Sequence, residues 1–264
     1  MDRFLMCPPD YFGIEYEINP WMRLSNQSDP QRARAQWKEL YDILTRELGA
    51  TVELMEPVKG LPDLVFTANA GYVEEDLFIS SFFKHRERRG ETPYYDAWFR
   101  SRGYRIRKLG PDCFFEGMGD ALPLGDTVFA GYHRRSEICS HQALSKVIDR
   151  RVLSLELADP AFYHLDTCFC PLAAGTALFF PPAFDAYAGT ALRESIPDLL
   201  AVSESSARRF ACNAVVMAET VVTNTGCDDL EEPLAHRGFG LRMVDLSEFM
   251  KSGGSAKCLT LRLS

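Results

Sequence analysis

The sequence predicts an α/β fold, a closed, five-bladed, pseudo-symmetric α/β propeller with a central active site, and three observations carry that reading. Helix-then-strand segments recur five times at roughly 40–55-residue intervals, a spacing at which internal repeats are expected. About ten to fifteen residues beyond each comes a second strand-like stretch holding a polar residue: VFTANAGYV, FFEGMGDAL, FYHLDTCFC, ACNAVVMAE and SAKCLTLRL. With 46% hydrophobic and 25% charged residues the chain has material for a core, which excludes a disordered protein. Such units cover one another's apolar faces only when arrayed side by side, so a ring is expected. A doubly wound parallel sheet gives no reason for the fivefold recurrence.

The elements follow from local punctuation. Asp29 caps and Pro30 opens a first helix, whose apolar face runs through Ala33, Trp37, Leu40, Tyr41, Leu44 and Leu48 before Gly49 stops it. Thr92 and Pro93 open a second over Tyr94, Tyr95, Trp98 and Phe99, closed by Gly103. Ser136 opens a third carrying Ile138, Leu144, Val147 and Ile148; shorter helices are expected from about Phe184 to Ile196 and Asp228 to Arg237. The strands that follow are Thr51 to Leu54, Tyr104 to Leu109, Val152 to Leu155, Leu199 to Val202 and Leu241 to Leu246. No linker or composition break appears, so residues 1–264 are expected to form one catalytic domain.

A net charge of -8 argues against a nucleic-acid partner, because such a surface repels phosphate. The run from Pro171 to Phe184 is too short and too interrupted by Gly and Pro to cross a membrane. No membrane partner is expected. The N-terminal residues show no secretory pattern, so a cytoplasmic location is expected, and the eight cysteines are read as reduced thiols. That leaves a small-molecule substrate as the partner class, with a homo-oligomer left open.

The ring would gather the recurrent polar residues at its centre: Asn69, Glu116, His164, a position near Asn213, and Cys258. Cys258 follows paired glycines that allow close backbone approach to a ligand. Most lone cysteines are inert core residues, but a cysteine gathered with a histidine and a carboxylate is the arrangement that activates a nucleophile. His164 lies on an expected strand, where period two would turn Asp166 to the same side. His164, Cys168 and Cys170 are also weighed as metal ligands, but no second cluster completes a four-ligand set, so no metal is expected. Glu116, between Phe114, Phe115 and two glycines, needs a specific partner if buried. Asn69 is either a turn former or a pocket residue. Arg88 and Arg135 are candidates to clamp a substrate carboxylate, since a guanidinium meets a carboxylate in bidentate geometry.

The strings FLMCPPDYFGIEYEINPWM, LPDLVFTANAG, FEGMGDAL, FYHLDTCFCPL and GGSAKCLTL resemble the guanidino-group-modifying hydrolases, the pentein superfamily of five-bladed α/β propellers. These include arginine deiminases, amidinotransferases and dimethylarginine dimethylaminohydrolases. The resemblance implies Cys258 as nucleophile, His164 as general acid/base and Glu116 as the carboxylate holding it. It places Asp63 beside the substrate pocket and makes Asp166 the acid that binds an unmethylated guanidinium. Dimethylarginine hydrolases usually lack an acid at that last position. Asn69 departs from the aspartate of deiminases and resembles the arginine dihydrolases, as does INPWM, where Asn19 would belong to a substrate-contacting loop. Many of those proteins carry a further C-terminal region, whose function is expected to be missing here. The implied activity is hydrolysis of arginine through a thiouronium adduct, with ornithine, carbon dioxide and two ammonia as products. Arginine deiminase, dimethylarginine or citrulline hydrolase, and a non-catalytic arginine-binding propeller are the alternatives. Thiolate and imidazole supply nucleophile and acid/base, so no cofactor is implied.

Overall fold

The computed structural model describes residues 2–110, 113–173 and 175–263. Five three-stranded sheets stand around a common centre, and each has the same internal order. In the first, β3 (Gly71–Glu74) pairs antiparallel with β4 (Leu77–Ser80), which runs parallel to β5 (Arg105–Arg107) after helix α2 (Thr92–Ser101). The next two repeat this with β6 (Ala121–Leu124), β7 (Thr127–Tyr132), α3 (Ile138–Ile148) and β8 (Arg151–Glu156), then β9 (Phe169–Ala173), β10 (Thr176–Phe179), α4 (Ala186–Ser195) and β11 (Asp198–Ala201). A helical turn, α5 (Glu204–Ala207), leads to the fourth, formed by β12 (Val215–Met217), β13 (Thr220–Asn224), α6 (Glu231–Ala235) and β14 (Gly240–Val244).

The fifth sheet joins the two ends of the ring. After α7 (Ser247–Met250), strand β15 (Leu261–Arg262) pairs antiparallel with β1 (Arg3–Met6), which lies parallel to β2 (Thr51–Leu54) across helix α1 (Pro30–Asp42). Sequence spacing predicts a closed ring but not that β1 and β15 close it, because Phe4 meets Arg262 with no local signal linking them.

The caps explain the helices. Asp29 Oδ1 accepts from Gln31 N at 2.8 Å and Arg32 N at 3.1 Å, with Pro30 at the first helical position. Asp185 caps α4 through Ala188 N. Two expected openers do other work: Ser136 turns inward to Asp120, and Thr92 Oγ1 donates to Ser81 O, so α3 starts two residues later and Glu91 precedes α2. The interior faces of the blades interlock through Phe78 and Phe99, Phe129 and Phe169, and Phe162 and Phe180.

Two expectations need correction. The polar stretches at the centre are not strands but short 3-10 turns, Thr67–Ala70, Gly117–Gly119 and Leu165–Thr167, each delivering the chain into the inner strand of a blade. Their residues favour tight local bonds: Thr167 Oγ1 donates to His164 O at 2.6 Å, and Gly117 adopts φ +62°, where a Cβ would lie 2.7 Å from Gly71 N. Nor are all thiols reduced. Cys113 and Cys139 are joined by a disulfide, their Cα atoms 6.1 Å apart, while the other six cysteines are free and buried.

Candidate active site

Each central turn brings one side chain or more to the axis, and none is more than slightly exposed: Glu116 and Asp166 at 0%, His164 at 1%, Cys258, Asn69 and Asp63 at 2%. Such a set of buried ionisable groups is tolerated only when its members are paired with one another or with a ligand.

Glu116 is the electrostatic anchor. Its Oε2 accepts from His164 Nε2 at 2.7 Å and from Arg135 Nη1 at 3.1 Å, and its Oε1 from Lys84 N at 3.2 Å. Burial alone would raise its pKa, but the charge of Arg135 and the bond from His164 prevail and hold it well below the ordinary carboxylate range. An ionised Glu116 holds His164 with a proton on Nε2. The other ring nitrogen, Nδ1, is buried with no partner among the described residues. Asp120 supports the turn from behind, accepting from Leu165 N at 3.0 Å and Ser136 Oγ at 2.7 Å, and Ser136 Oγ in turn accepts from Glu116 N at 3.0 Å.

The turn that carries Cys258 follows from its glycines. Gly253 has φ +82°, and at Gly254 a Cβ would come within 2.7 Å of the Phe66 ring and 3.1 Å of Cys258 Cβ. The thiol meets Asn213 Nδ2 at 3.1 Å and Asp166 Oδ2 at 3.5 Å. Burial and the Asp166 charge push its pKa up, opposed by donors from Ser255 and Asn213 and by the charge of Lys257. Asp166 is itself pushed up to about 6 by burial, against the pull of His164 and Lys257. It lies in a 3-10 turn, so the turn and not a strand alternation sets its direction.

Asp63 Oδ1 and Asp166 Oδ1 are buried acceptors without a partner among the described residues. Burial raises Asp63 as well, opposed by Arg88, whose Nε stands 3.8 Å from Asp63 Oδ2, and by the nearby Tyr16 hydroxyl, which does not reach full hydrogen-bond geometry. Two carboxylate oxygens and an imidazole nitrogen without partners among the described residues thus gather around one thiol, and carboxylate oxygens are acceptors for N–H donors.

The arginines are differently placed from one another. Arg88 donates twice to Glu91, at 2.8 Å each, once to Asn69 Oδ1 at 2.9 Å and once to Asp63 O at 3.2 Å, so four of its five N–H groups are engaged. It fixes the Asn69 amide, turning Nδ2 toward Glu116 O at 3.5 Å. Arg135 donates to Glu116 and to Ile18 O, the latter at 3.0 Å, and lies over the Tyr163 ring at 4.7 Å. It keeps more of its fork for a ligand. Asn19 works within its own loop: Oδ1 accepts from Trp21 N and Met22 N, and Nδ2 donates to Ser252 O at 3.0 Å, tying that loop to the turn before Cys258.

His164, Cys168 and Cys170 do not form a metal set. The Cys168 thiol turns to Leu165 O and the Cys170 thiol to Pro171 O and Ala214 O. Among the described residues the one cluster of ligand type is Cys113, Glu137 and Cys139, where the sulfurs are already bonded to each other. The residues that sequence reasoning missed are the supports: Asp120, Ser136 and the side chain of Asn213. Only the GMGD string, with an acid closing a glycine turn, signalled the first of them. Among the described residues no helix is long and apolar enough to cross a membrane.

The sequence matches the profile of the eukaryotic N,N dimethylarginine dimethylhydrolase family over residues 8–264. The bifunctional arginine dihydrolase/ornithine cyclodeaminase ArgZ of Synechocystis sp. is 47% identical over 99% of this chain, which spans 38% of that relative's length. The N(G),N(G)-dimethylarginine dimethylaminohydrolase of Mycobacterium tuberculosis is 41% identical over 99% of this chain and 85% of its own. The solved N-terminal domain of ArgZ with substrate bound, an arginine dihydrolase of cyanobacteria, superimposes with a TM-score of 0.96 at 46% identity, covering 100% of this chain and 98% of that one.

Proposed function

Because the chain belongs to the N,N-dimethylarginine dimethylhydrolase family, we propose that it hydrolyses the guanidinium group of L-arginine through Cys258, and that it is an arginine dihydrolase yielding ornithine, carbon dioxide and two ammonia. The observation that carries the reading is the pair of unpartnered buried oxygens on Asp63 and Asp166 at the axis that holds Cys258 and His164. An unmethylated guanidinium supplies the N–H donors they lack, whereas methyl groups would leave at least one acceptor unsatisfied.

In this mechanism the Cys258 thiolate attacks the guanidinium carbon, and the bond to one terminal nitrogen breaks as His164, through Nδ1, delivers the proton that makes it ammonia. His164, now neutral at Nδ1, takes a proton from water. The resulting hydroxide displaces the thiolate from the thiouronium carbon and leaves citrulline. Glu116 acts through His164 as a positioning residue that stabilises the imidazolium. A second thiolate attack at the ureido carbon expels the second ammonia and leaves a thiocarbamate on Cys258; water displaces the sulfur to give the Nδ-carbamate of ornithine, which loses carbon dioxide as its C–N bond breaks. Asn69 favours this second round: with Oδ1 taken by Arg88, its amide presents N–H, which suits the carbonyl oxygen of citrulline and not a guanidinium. Arg135, with donors to spare, is the better candidate for the substrate carboxylate, and Arg88 is a positioning residue for Asn69.

The test incubates purified protein with L-arginine, and separately with dimethylarginine, against a Cys258→Ser control. Ornithine with about two ammonia per arginine, the stoichiometry of two C–N hydrolyses, is expected. Citrulline with one ammonia defeats the dihydrolase reading in favour of a deiminase, and turnover of dimethylarginine alone shifts the substrate to the methylated amino acid.

A further inference from the structure

Asn213, in the turn between α5 and β12, has an amide with four hydrogen-bonding positions in use. Its Oδ1 accepts from Ser255 N at 2.9 Å and Cys258 N at 3.0 Å. Its Nδ2 donates to Asp166 O at 3.1 Å and to Cys258 Sγ at 3.1 Å. These partners fix the orientation of the amide, because a flip would set N–H against two backbone N–H groups and oxygen against the Asp166 carbonyl. The side chain is fully buried, and Lys257 N donates to the Asn213 carbonyl at 3.1 Å, so both ends of the residue hold the nucleophile's turn.

The thiol needs such a partner. It is buried beside Asp166, two conditions that favour the neutral form, and a neutral thiol is a poor nucleophile. An N–H donor aimed at sulfur stabilises the thiolate more than the thiol. We infer that Asn213 is a positioning residue for the nucleophile: its Nδ2–H stabilises the Cys258 thiolate while its Oδ1 fixes the turn that aims it. The inference rests on Cys258 being the nucleophile, as read above.

The test uses the full chain with Asn213→Asp and Asn213→Ser. Aspartate still accepts from Ser255 N and Cys258 N but has no N–H for sulfur. Iodoacetamide alkylation, in which the thiolate forms the S–C bond and expels iodide, is followed on the Cys258 peptide by mass spectrometry from about pH 6 to 10. In Asn213→Asp the midpoint of the profile should move up by about one pH unit or more, with kcat falling about tenfold or more at neutral pH and KM little changed. A folded Asn213→Asp protein whose alkylation profile overlays the wild type refutes the inference. Because the new carboxylate of aspartate would raise the midpoint by its charge alone, Asn213→Ser, whose shorter side chain withdraws the Nδ2 donor without adding charge, must also shift upward, and a folded Asn213→Ser protein that overlays the wild type refutes the inference. Because alkylation needs no arginine, a shifted profile in a protein that does not turn over arginine sinks the proposed function and leaves the role of Asn213 standing.

Discussion

Asp166→Asn should make the protein more stable and less active. Asp166 is fully buried, one oxygen has no partner among the described residues, and burial raises its pKa from 3.8 to about 6. At roughly 1.4 kcal/mol per unit, the ionised side chain disfavours the folded state by about 3 kcal/mol. The sign follows from proton counting. Below pH 3.8 the acid is protonated in both folded and unfolded chains and there is no penalty. Between 3.8 and about 6 the unfolded chain ionises first, so stability falls as pH rises, and above about 6 the loss is complete. The asparagine variant escapes that loss. At pH 7.5 it should therefore melt about 6–12 °C higher than the wild type, at about 2–4 °C per kcal/mol for a chain of this size. The difference should vanish near pH 4. Without the charge, kcat/KM for arginine should fall about 10- to 150-fold, the worth of one hydrogen bond to a charged group. Thermal melts at several pH values and steady-state kinetics decide it. Equal or lower melting of Asp166→Asn at pH 7.5 would refute the claim that an uncompensated buried charge is held ready for a cationic substrate.

Three further outcomes follow from the same geometry. Asn69→Asp should end the reaction at citrulline, because a carboxylate beside Arg88 accepts but cannot donate to the carbonyl oxygen; the ornithine to citrulline ratio measures this. Glu116→Gln removes the counter-charge of buried Arg135 and leaves one neutral acceptor oxygen for the partners that two charged oxygens now serve, so it should destabilise the fold by about 3–5 kcal/mol and lower kcat by about 10²–10⁴, read by denaturant melts and initial rates. Gly119→Ala would drive a Cβ into Asn69 Nδ2 and within 3.5 Å of the His164 ring. It should cost about 1–3 kcal/mol and shift product toward citrulline, seen in the same melts and product ratios.

Much of the site was legible because its residue types are improbable where they stand. Glu116 between phenylalanines and glycines announced a buried carboxylate in need of a partner, and the structure supplies His164 and Arg135. Paired glycines before Cys258 were read as room for a ligand; at Gly254 the neighbours a Cβ would meet are the protein's own Phe66 ring and Cys258 Cβ. The first helix was legible from its cap, Asp29, whose bonds are local. What stayed hidden depends on distant partners. Nothing in the neighbourhood of Ser136 says that its hydroxyl prefers Asp120 to the start of α3, and nothing near Arg88 says that one of its donors goes to Asn69. The period of two expected at His164 failed because Thr167 closes a 3-10 turn on the His164 carbonyl before a strand can begin.

The fivefold arrangement also scatters the central residues along the chain. Asn69, Glu116, His164, Asn213 and Cys258 come from five successive turns, so no single blade contains nucleophile, acid and anchor together. They meet only when the ring is shut, and the strand that shuts it touches both sides of the join. Thr67 Oγ1 donates to Leu5 O at 3.0 Å, Ala68 N donates to Cys258 O at 3.2 Å, and Leu5 pairs with Leu261 three residues beyond the nucleophile. In an open ring Cys258 would lose its backbone contact with the first turn, because the Ala68 N–H bond and the Leu5–Leu261 pairing both cross the join. Pairing β1 with β15 is thus what sets the first turn against the backbone of Cys258.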